Sequence, residues 1–100
     1  MKSGYKIKWT EHALFELKLT FEYLEKNWTE RELRKFSAEI ERVVLLISKN
    51  PDLFQLSDKK LHVRRAIVTK HNIMYYRKKE DVIEILSFFS TQQNPNKLKL

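Results

Sequence analysis

Apolar residues recur along this chain with two different periods, which divide it into helical and strand-like segments. Within residues 4–9, aromatic and aliphatic side chains alternate with Lys6 and Lys8. Alternation of this kind is typical of a strand with one face on a core and the other facing water or a partner. We therefore predict that the chain begins with a half-buried strand.

The next segment has the helical period. Thr10 is a candidate N-cap, and Glu11 follows it in the first turn, where the helix dipole favours a carboxylate. The polar positions of the segment, Glu16 among them, are expected to face water. An apolar stripe, widened by Leu14, recurs at a spacing of three to four residues: Ala13, Leu17, Phe21, Leu24 and Trp28. This pattern predicts a first helix from about residue 11 to about residue 27.

A capping box at residues 29–32 predicts the start of a second helix. The Thr29 hydroxyl can accept from the amide of Glu32, and the Glu32 carboxylate can accept from the amide of Thr29. The Asn50-Pro51 pair ends this helix, because the residue before a proline avoids the helical region. Its predicted buried face contains Leu33, Phe36, Ile40, Val43, Val44 and Ile47. Since the connection is short, the two helices should form an antiparallel hairpin.

The second half of the chain is strand-like. Val, Ile, Tyr and Phe, which strands favour, dominate three runs at about 61–68, 71–78 and 82–89. The gaps at 69–70 and 79–81 are short enough for hairpin turns, so we predict an antiparallel meander. Three apolar side chains of the loop before these runs should be buried beneath it: Leu53, Phe54 and Leu56. The predicted fold class is α+β: an N-terminal strand, a helix hairpin packed on one face of a sheet, and a three-stranded meander.

Length and composition narrow the class of protein. One hundred residues suggest a single domain over 1–100, with 90–100 as a C-terminal tail. The absence of Cys excludes disulfides, a thiol nucleophile and a thiolate metal site. No stretch resembles a signal peptide or a membrane span, so we expect a cytoplasmic protein that does not contact a membrane. The histidines His12 and His62 have no companion at ligand spacing, and we predict neither a metal site nor a cofactor.

Charge is concentrated in residues 59–79. This stretch carries eight of the 20 Lys and Arg residues and none of the 13 Asp and Glu residues, in a basic chain of formal net charge +7. Such a stretch is a candidate surface for a polyanion or an acidic protein. Arg64 and Arg65 are adjacent, so a regular strand sends them to opposite faces. We expect one to contact a partner and the other to pair with a carboxylate such as Glu84.

Tyr75 and Tyr76 are adjacent in the same way. We expect one of them in the core and the other available to stack on a base. His71 lies at the start of a strand, where a solvated turn residue is the plainest interpretation. Histidine is also the usual acid–base group near neutral pH, so His71 stays a candidate catalyst.

The order of these elements, with several residues inside them, resembles the RelE/ParE superfamily of bacterial type II toxins over nearly the whole chain. The family pattern has a strand and a Thr-opened helix with a late aromatic residue, then a second helix ended by Asn-Pro. An Arg-containing strand, a Tyr-rich strand and a polar tail with a proline follow. The matching residues here are Trp9-Thr10, Ala13, Leu17, Leu24, Trp28, Asn50-Pro51, Val63-Arg64-Arg65, Ile73-Met74-Tyr75-Tyr76-Arg77 and Ser90–Pro95.

The resemblance implies a growth-inhibiting toxin that a cognate antitoxin neutralises by covering its basic surface. RelE-like members cut messenger RNA on the ribosome without a metal, whereas ParE-like members inhibit DNA gyrase and are not enzymes. Fold alone does not choose between them. The candidate target-binding or nucleic-acid-binding residues are Arg64, Arg65, Lys70, Arg77 and Gln92.

Three departures from the nuclease pattern favour the ParE-like hypothesis. Asn72 replaces an arginine on the middle strand, and Ser90 and Gln92 replace the Asp and Arg of the tail. His71, Tyr75 and Arg77 are the remaining candidate catalytic residues. The alternatives are a ribosome-dependent mRNA endonuclease with this altered set, and an inactive or repurposed member that only binds.

Overall fold

The computed structural model describes residues 4–91, 98 and 100 of the chain. Two helices and five strands follow in the order β1 (Lys6–Trp9), α1 (Glu11–Glu25), α2 (Glu30–Lys49), β2 (Gln55–Leu56), β3 (Arg64–Thr69), β4 (Asn72–Lys79) and β5 (Val82–Ser90). The predicted α+β class is confirmed, and β2 is an element that the sequence pattern did not predict. None of the helices is long and apolar enough to cross a membrane in the residues described.

Both helices begin where the sequence predicts. The Thr10 side chain accepts from the amide of Ala13, which satisfies one of the free N–H groups of the first turn of α1. The capping box of α2 is complete: the Thr29 amide donates to Glu32 Oε1 at 2.9 Å, and the Glu32 amide donates to Thr29 Oγ1 at 3.2 Å. Local side-chain chemistry therefore fixes the two helix starts.

The strands form one mixed sheet in the order β1-β5-β4-β3-β2. The predicted meander is present, since β3 pairs with β4 and β4 with β5, both antiparallel. β1 pairs in parallel with β5, with Lys8 opposite Glu84 and Trp9 opposite Ile85. The helix hairpin is the crossover that carries the chain from β1 to the opposite side of the meander.

The core lies between the helices and one face of the sheet. The helices contribute Ala13, Leu24, Phe36, Ile40, Val43 and Ile47, and the strands contribute Ala66, Val68, Met74, Tyr76, Ile83, Ile85 and Phe88. Phe36 packs edge-on against Trp28 and Phe88, with ring centroids 5.7 and 6.1 Å apart. Burying these side chains on both layers holds the hairpin on the sheet.

Three predictions about burial were wrong. Leu14 is 49% exposed, and Leu53 and Leu56 are 57% and 55% exposed, although Phe54 does pack against Tyr76. Leu14 lies outside the α1 stripe that meets the sheet. Leu56 belongs to β2, a two-residue strand at the edge of the sheet, where few residues are available to cover it.

Glu16 was expected to face water, but it joins α1 to β5. Its Oε1 accepts from Ser87 Oγ at 2.6 Å and from the Phe88 amide at 2.9 Å. β5 continues past the end of β1 at this point, and the pairing of β4 with β5 shifts register between Tyr75 and Tyr76. The carboxylate therefore supplies an acceptor to a strand whose neighbour has ended.

Candidate functional site: the open face of the sheet

The face of the sheet turned away from the helices, here called the open face, has an apolar part and a cationic part. The apolar part is a buried cluster of Val63, Tyr75 and Phe89, against which Leu98 and Leu100 pack. The carbonyl oxygen of Leu100 also accepts from Lys60 Nζ at 2.8 Å. This cluster covers one region of the open face and leaves the cationic region beside it.

The cationic part is built by register from four strands. Opposite residues of neighbouring strands share a face, so Lys8, Glu84 and Arg77 form one row across β1, β5 and β4. Lys6 and Lys79 flank Val82 in the next row. We call the cationic residues of this face the open-face patch: Lys6, Lys8, Arg65, Arg77 and Lys79.

One carboxylate lies within this patch. Arg77 Nε donates to Glu84 Oε1 at 2.7 Å, and that bond holds the pKa of Glu84 below its ordinary value of 4.5, with Lys79 and Lys8 acting in the same direction. Five cations against this carboxylate leave a formal excess of four positive charges. The row therefore holds its side chains in place while the patch stays cationic.

Arg65 is the member of the patch on β3. It lies opposite Tyr75 on one side and Gln55 on the other. Arg77 occupies the diagonal position on β4, which places the two backbones about 7–8 Å apart. Within the described part of the chain, no carboxylate lies at ion-pair distance from Arg65. Its guanidinium is therefore available to an acidic group from outside.

Arg64 points to the opposite face, as its position beside Arg65 requires. Its Nη1 donates to the Phe54 carbonyl at 2.7 Å, and its Nη2 lies 3.4 Å from Asp52 Oδ1. One arginine of the pair does meet a carboxylate, as expected, but the example named was wrong: Arg64 pairs with Asp52, and Glu84 pairs with Arg77. The reason is register, because Glu84 lies opposite Arg77 on β4 and two strands away from β3.

The structure does not bring the candidate catalytic residues together. His71 and Lys70 lie in the turn between β3 and β4, where the His71 carbonyl accepts from the Thr91 amide at 2.9 Å. Arg77 is six residues further along β4, which separates the two backbones by about 20 Å. Gln92 lies outside the described residues.

The two adjacent tyrosines are both buried, so the expectation that one of them is free to stack on a base was wrong. Tyr75 is 4% exposed in the apolar cluster of the open face, and Tyr76 is fully buried on the helix side. The Tyr76 hydroxyl donates to the Pro51 carbonyl at 2.7 Å, and burial raises its pKa to about 12. Apolar residues pack against both faces of β4, so Tyr75 and Tyr76 are each buried in a hydrophobic cluster.

Comparison with known proteins identifies the family. The model of the ParE toxin of the type II toxin–antitoxin system parDE matches residues 7–95. The chain belongs to the ParE toxin family. It is therefore a toxin component of a type II toxin–antitoxin system, and its membership of the RelE/ParE superfamily is confirmed.

Solved structures show the same fold. A chain from the chromosomal ParDE toxin–antitoxin system of P. aeruginosa matches with a TM-score of 0.74 at 16% identity, over 89% of this chain and 98% of that chain. A copper-bound mutant toxin from Helicobacter pylori matches with a TM-score of 0.56 at 14% identity, over 89% of this chain and 97% of that chain. A search of the curated proteins gives no significant match.

The site of this ParE-family toxin contains three residues that sequence reasoning did not include among the binding candidates: Lys6, Lys8 and Lys79. Lys6 and Lys8 join the open-face patch because β1 pairs with β5 and not with its nearer neighbours in sequence. Their alternation with apolar residues was the available signal, and it indicated a wet or partner-facing side. In the part of the toxin that the structure describes, no group of three or more His, Cys, Asp or Glu side chains is placed to hold a metal ion.

Proposed function

We propose that this toxin arrests growth by binding DNA gyrase through its open-face patch, without cutting nucleic acid itself. The observation that carries the proposal is the separation of the candidate catalytic residues. Cleavage of RNA needs a base, a charge-stabilising cation and a proton donor within hydrogen-bond reach of one phosphate. His71 lies in the turn before β4, Arg77 lies near the far end of that strand, and Tyr75 is buried between them.

The state of Arg77 supports the same interpretation. Its Nε is bonded to Glu84, so its side chain is held in the row across the sheet, about 20 Å along β4 from His71. Asn72, at the position where a nuclease would carry an arginine, is buried and accepts from Thr69 Oγ1 at 2.9 Å. A side chain held in that way takes part in the hairpin and has no role in neutralising a phosphate.

The charge of the open-face patch suits a binding function. A cluster of cations with one internal carboxylate attracts an acidic surface and raises the rate of association with it. Added salt screens the charges and weakens this attraction. The antitoxin is the partner that we expect to neutralise the toxin, by covering the sheet and the helix hairpin. A gyrase target implies that the toxin acts in the cytoplasm.

The experiment compares growth and gyrase activity for two charge-matched double variants. Arg65→Ala with Arg77→Ala removes two cations from the patch, and Arg31→Ala with Arg34→Ala removes two exposed cations from α2. We expect the wild type and the α2 variant to arrest growth and to inhibit supercoiling by purified gyrase. The patch variant should lose both effects while its circular dichroism spectrum stays native.

Three results would contradict the proposal. Full toxicity of a folded patch variant would remove the patch as the working surface. Codon-specific cuts in ribosome toeprinting would instead assign the mRNA endonuclease function. Normal growth on expression of the wild type without its antitoxin would favour an inactive or repurposed member of the family.

A further inference from the structure

A second cationic site lies on the helix side of the sheet, away from the open-face patch. It is a pocket of about 200 Å³ beside the short edge strand β2. Arg64 and Lys78 supply its positive charge, and the remainder is lined by Pro51, Asp52, Leu56, His62 and Tyr76. Lys78 reaches this side because it lies opposite Ile83, a core residue, whereas Lys79 is opposite Val82. Lys78 therefore lines this pocket, whereas its neighbour Lys79 belongs to the open-face patch.

Asp52 lies between the two cations of this pocket. Its Oδ1 is 3.4 Å from Arg64 Nη2, and its Oδ2 is 4.0 Å from Lys78 Nζ. Charge-assisted hydrogen bonds between nitrogen and oxygen are about 2.7–2.9 Å long. One carboxylate oxygen therefore faces each cation, and neither is close enough for a full bond. Asp52 thus bridges the two cations only loosely.

A phosphate group suits these two cations better than a carboxylate does. It offers three strong acceptor oxygens in place of two, and they project in three directions. Arginine and lysine are the two side chains that proteins use for phosphates, the first as a planar fork and the second as a point charge. Arg64 is fixed for this task, because its Nη1 is bonded to the Phe54 carbonyl and its side chain is only 26% exposed.

We propose that this pocket binds a single phosphate group between Arg64 and Lys78, displacing the Asp52 carboxylate. Asp52 is 69% exposed, so its side chain can turn into water when the phosphate enters. Tyr76 adds no competing charge, since its hydroxyl is committed to the Pro51 carbonyl and its raised pKa of about 12 keeps it protonated. The inference is independent of the gyrase proposal, because it uses the opposite face of the sheet.

The test is a titration of the full-length toxin with inorganic phosphate at constant ionic strength, because salt screens both sites. Binding is followed by calorimetry and by the NMR signals of Arg64 Nε and the backbone of β4. Lys78→Gln and Lys79→Gln form a matched pair: each removes one cation from an adjacent position of the same strand. We expect Lys78→Gln to weaken phosphate binding about fivefold, the value of one charge at about 4 Å in water. Lys79→Gln should leave the Kd within about twofold, because its charge is on the other face.

Asp52→Asn supplies the opposite perturbation. Removing the resident carboxylate should tighten phosphate binding about fivefold by the same arithmetic. Acetate should bind more weakly than phosphate, since it offers two acceptor oxygens in place of three and carries less negative charge. The proposal is overturned if phosphate shows no saturable binding, if both lysine variants weaken it equally, or if acetate binds as tightly as phosphate.

Two further probes distinguish the sources of the phosphate. A nucleoside 5′-monophosphate presents a free phosphate end, and a dinucleotide presents only a phosphodiester of the nucleic-acid backbone. Competition by the monophosphate alone supports a site for a free phosphate or a nucleotide. Competition by the dinucleotide at similar concentration supports a backbone contact. Failure of both probes to compete with inorganic phosphate, on a chain with a native NMR spectrum, overturns a site open to biological phosphates.

Discussion

Arg64 and Arg65 are adjacent in sequence, but the structure predicts that removing one affects stability and removing the other affects toxicity. Arg64 is bonded inside the protein to the Phe54 carbonyl and paired with Asp52. Arg65 faces outward on the open face, in the patch that we propose as the gyrase contact. Arg64→Ala should therefore lower the free energy of unfolding, whereas Arg65→Ala should lower toxicity and leave stability unchanged.

The magnitude follows from the contacts. A hydrogen bond from a charged donor to a carbonyl contributes about 1.5–3 kcal/mol. The ion pair with Asp52 contributes about 0–1 kcal/mol, because that carboxylate is 69% exposed and well solvated. We expect Arg64→Ala to reduce the free energy of unfolding by about 2–3 kcal/mol, with the uncovered Phe54 carbonyl included. Arg65→Ala should stay within about 0.5 kcal/mol, as surface substitutions usually do.

Urea denaturation followed by the fluorescence of Trp9 and Trp28 measures this difference. Phosphate is left out of the buffer, so that ligand binding does not add to the stability of the wild type. With an m-value of about 1–3 kcal/mol/M, Arg64→Ala should lower the midpoint by about 0.7–3 M at unchanged m. Equal shifts for Arg64→Ala and Arg65→Ala, or a larger shift for Arg65→Ala, would refute the assignment of the two side chains to opposite faces.

Four further predictions concern stability, each measured by urea denaturation beside the wild type. Tyr76→Phe should cost about 1–2 kcal/mol by removing the donor to a buried carbonyl; no loss would contradict that bond. Ile40→Ala should cost about 2–5 kcal/mol through a cavity under the sheet, and Thr29→Ala about 1 kcal/mol through the lost cap. Because the Arg77 bond lowers the pKa of Glu84, its stabilising effect is present above pH 4.5 and is lost as the pH falls below that value. The stability difference between wild type and Glu84→Gln should therefore shrink in acid, and a difference independent of pH would count against the bond.

The sequence predicted the local structure of this toxin well because short-range chemistry decides it. Thr10 and Thr29 fix the helix starts through bonds to amides three residues away. The predicted strands differ from the observed ones by up to three residues at their ends, and the turns between them lie within one residue of the predicted positions. β2 was not predicted because two residues are too few to show an alternating pattern. They form a strand only by pairing with β3.

The candidate site was predicted only in part. Alternation along a strand correctly separated Arg64 from Arg65, because successive side chains point to opposite faces. It could not show which face each of them takes, and for that reason residues 59–79 do not form a single cationic surface. Arg64 and Lys78 line a pocket on the helix side, while Arg65, Arg77 and Lys79 lie on the open face.

The sequence by itself determined both helices, every strand except β2, their order and the excess of positive charge on the strands. Pairing between distant segments decided where that charge acts: β1 meets β5 across more than 70 residues, which adds Lys6 and Lys8 to the patch and places Glu84 between Lys8 and Arg77. The same long-range packing buried both tyrosines. Helix caps and strand periods are local properties of the chain, whereas register, burial and ion-pair partners exist only after the sheet has closed against its helices.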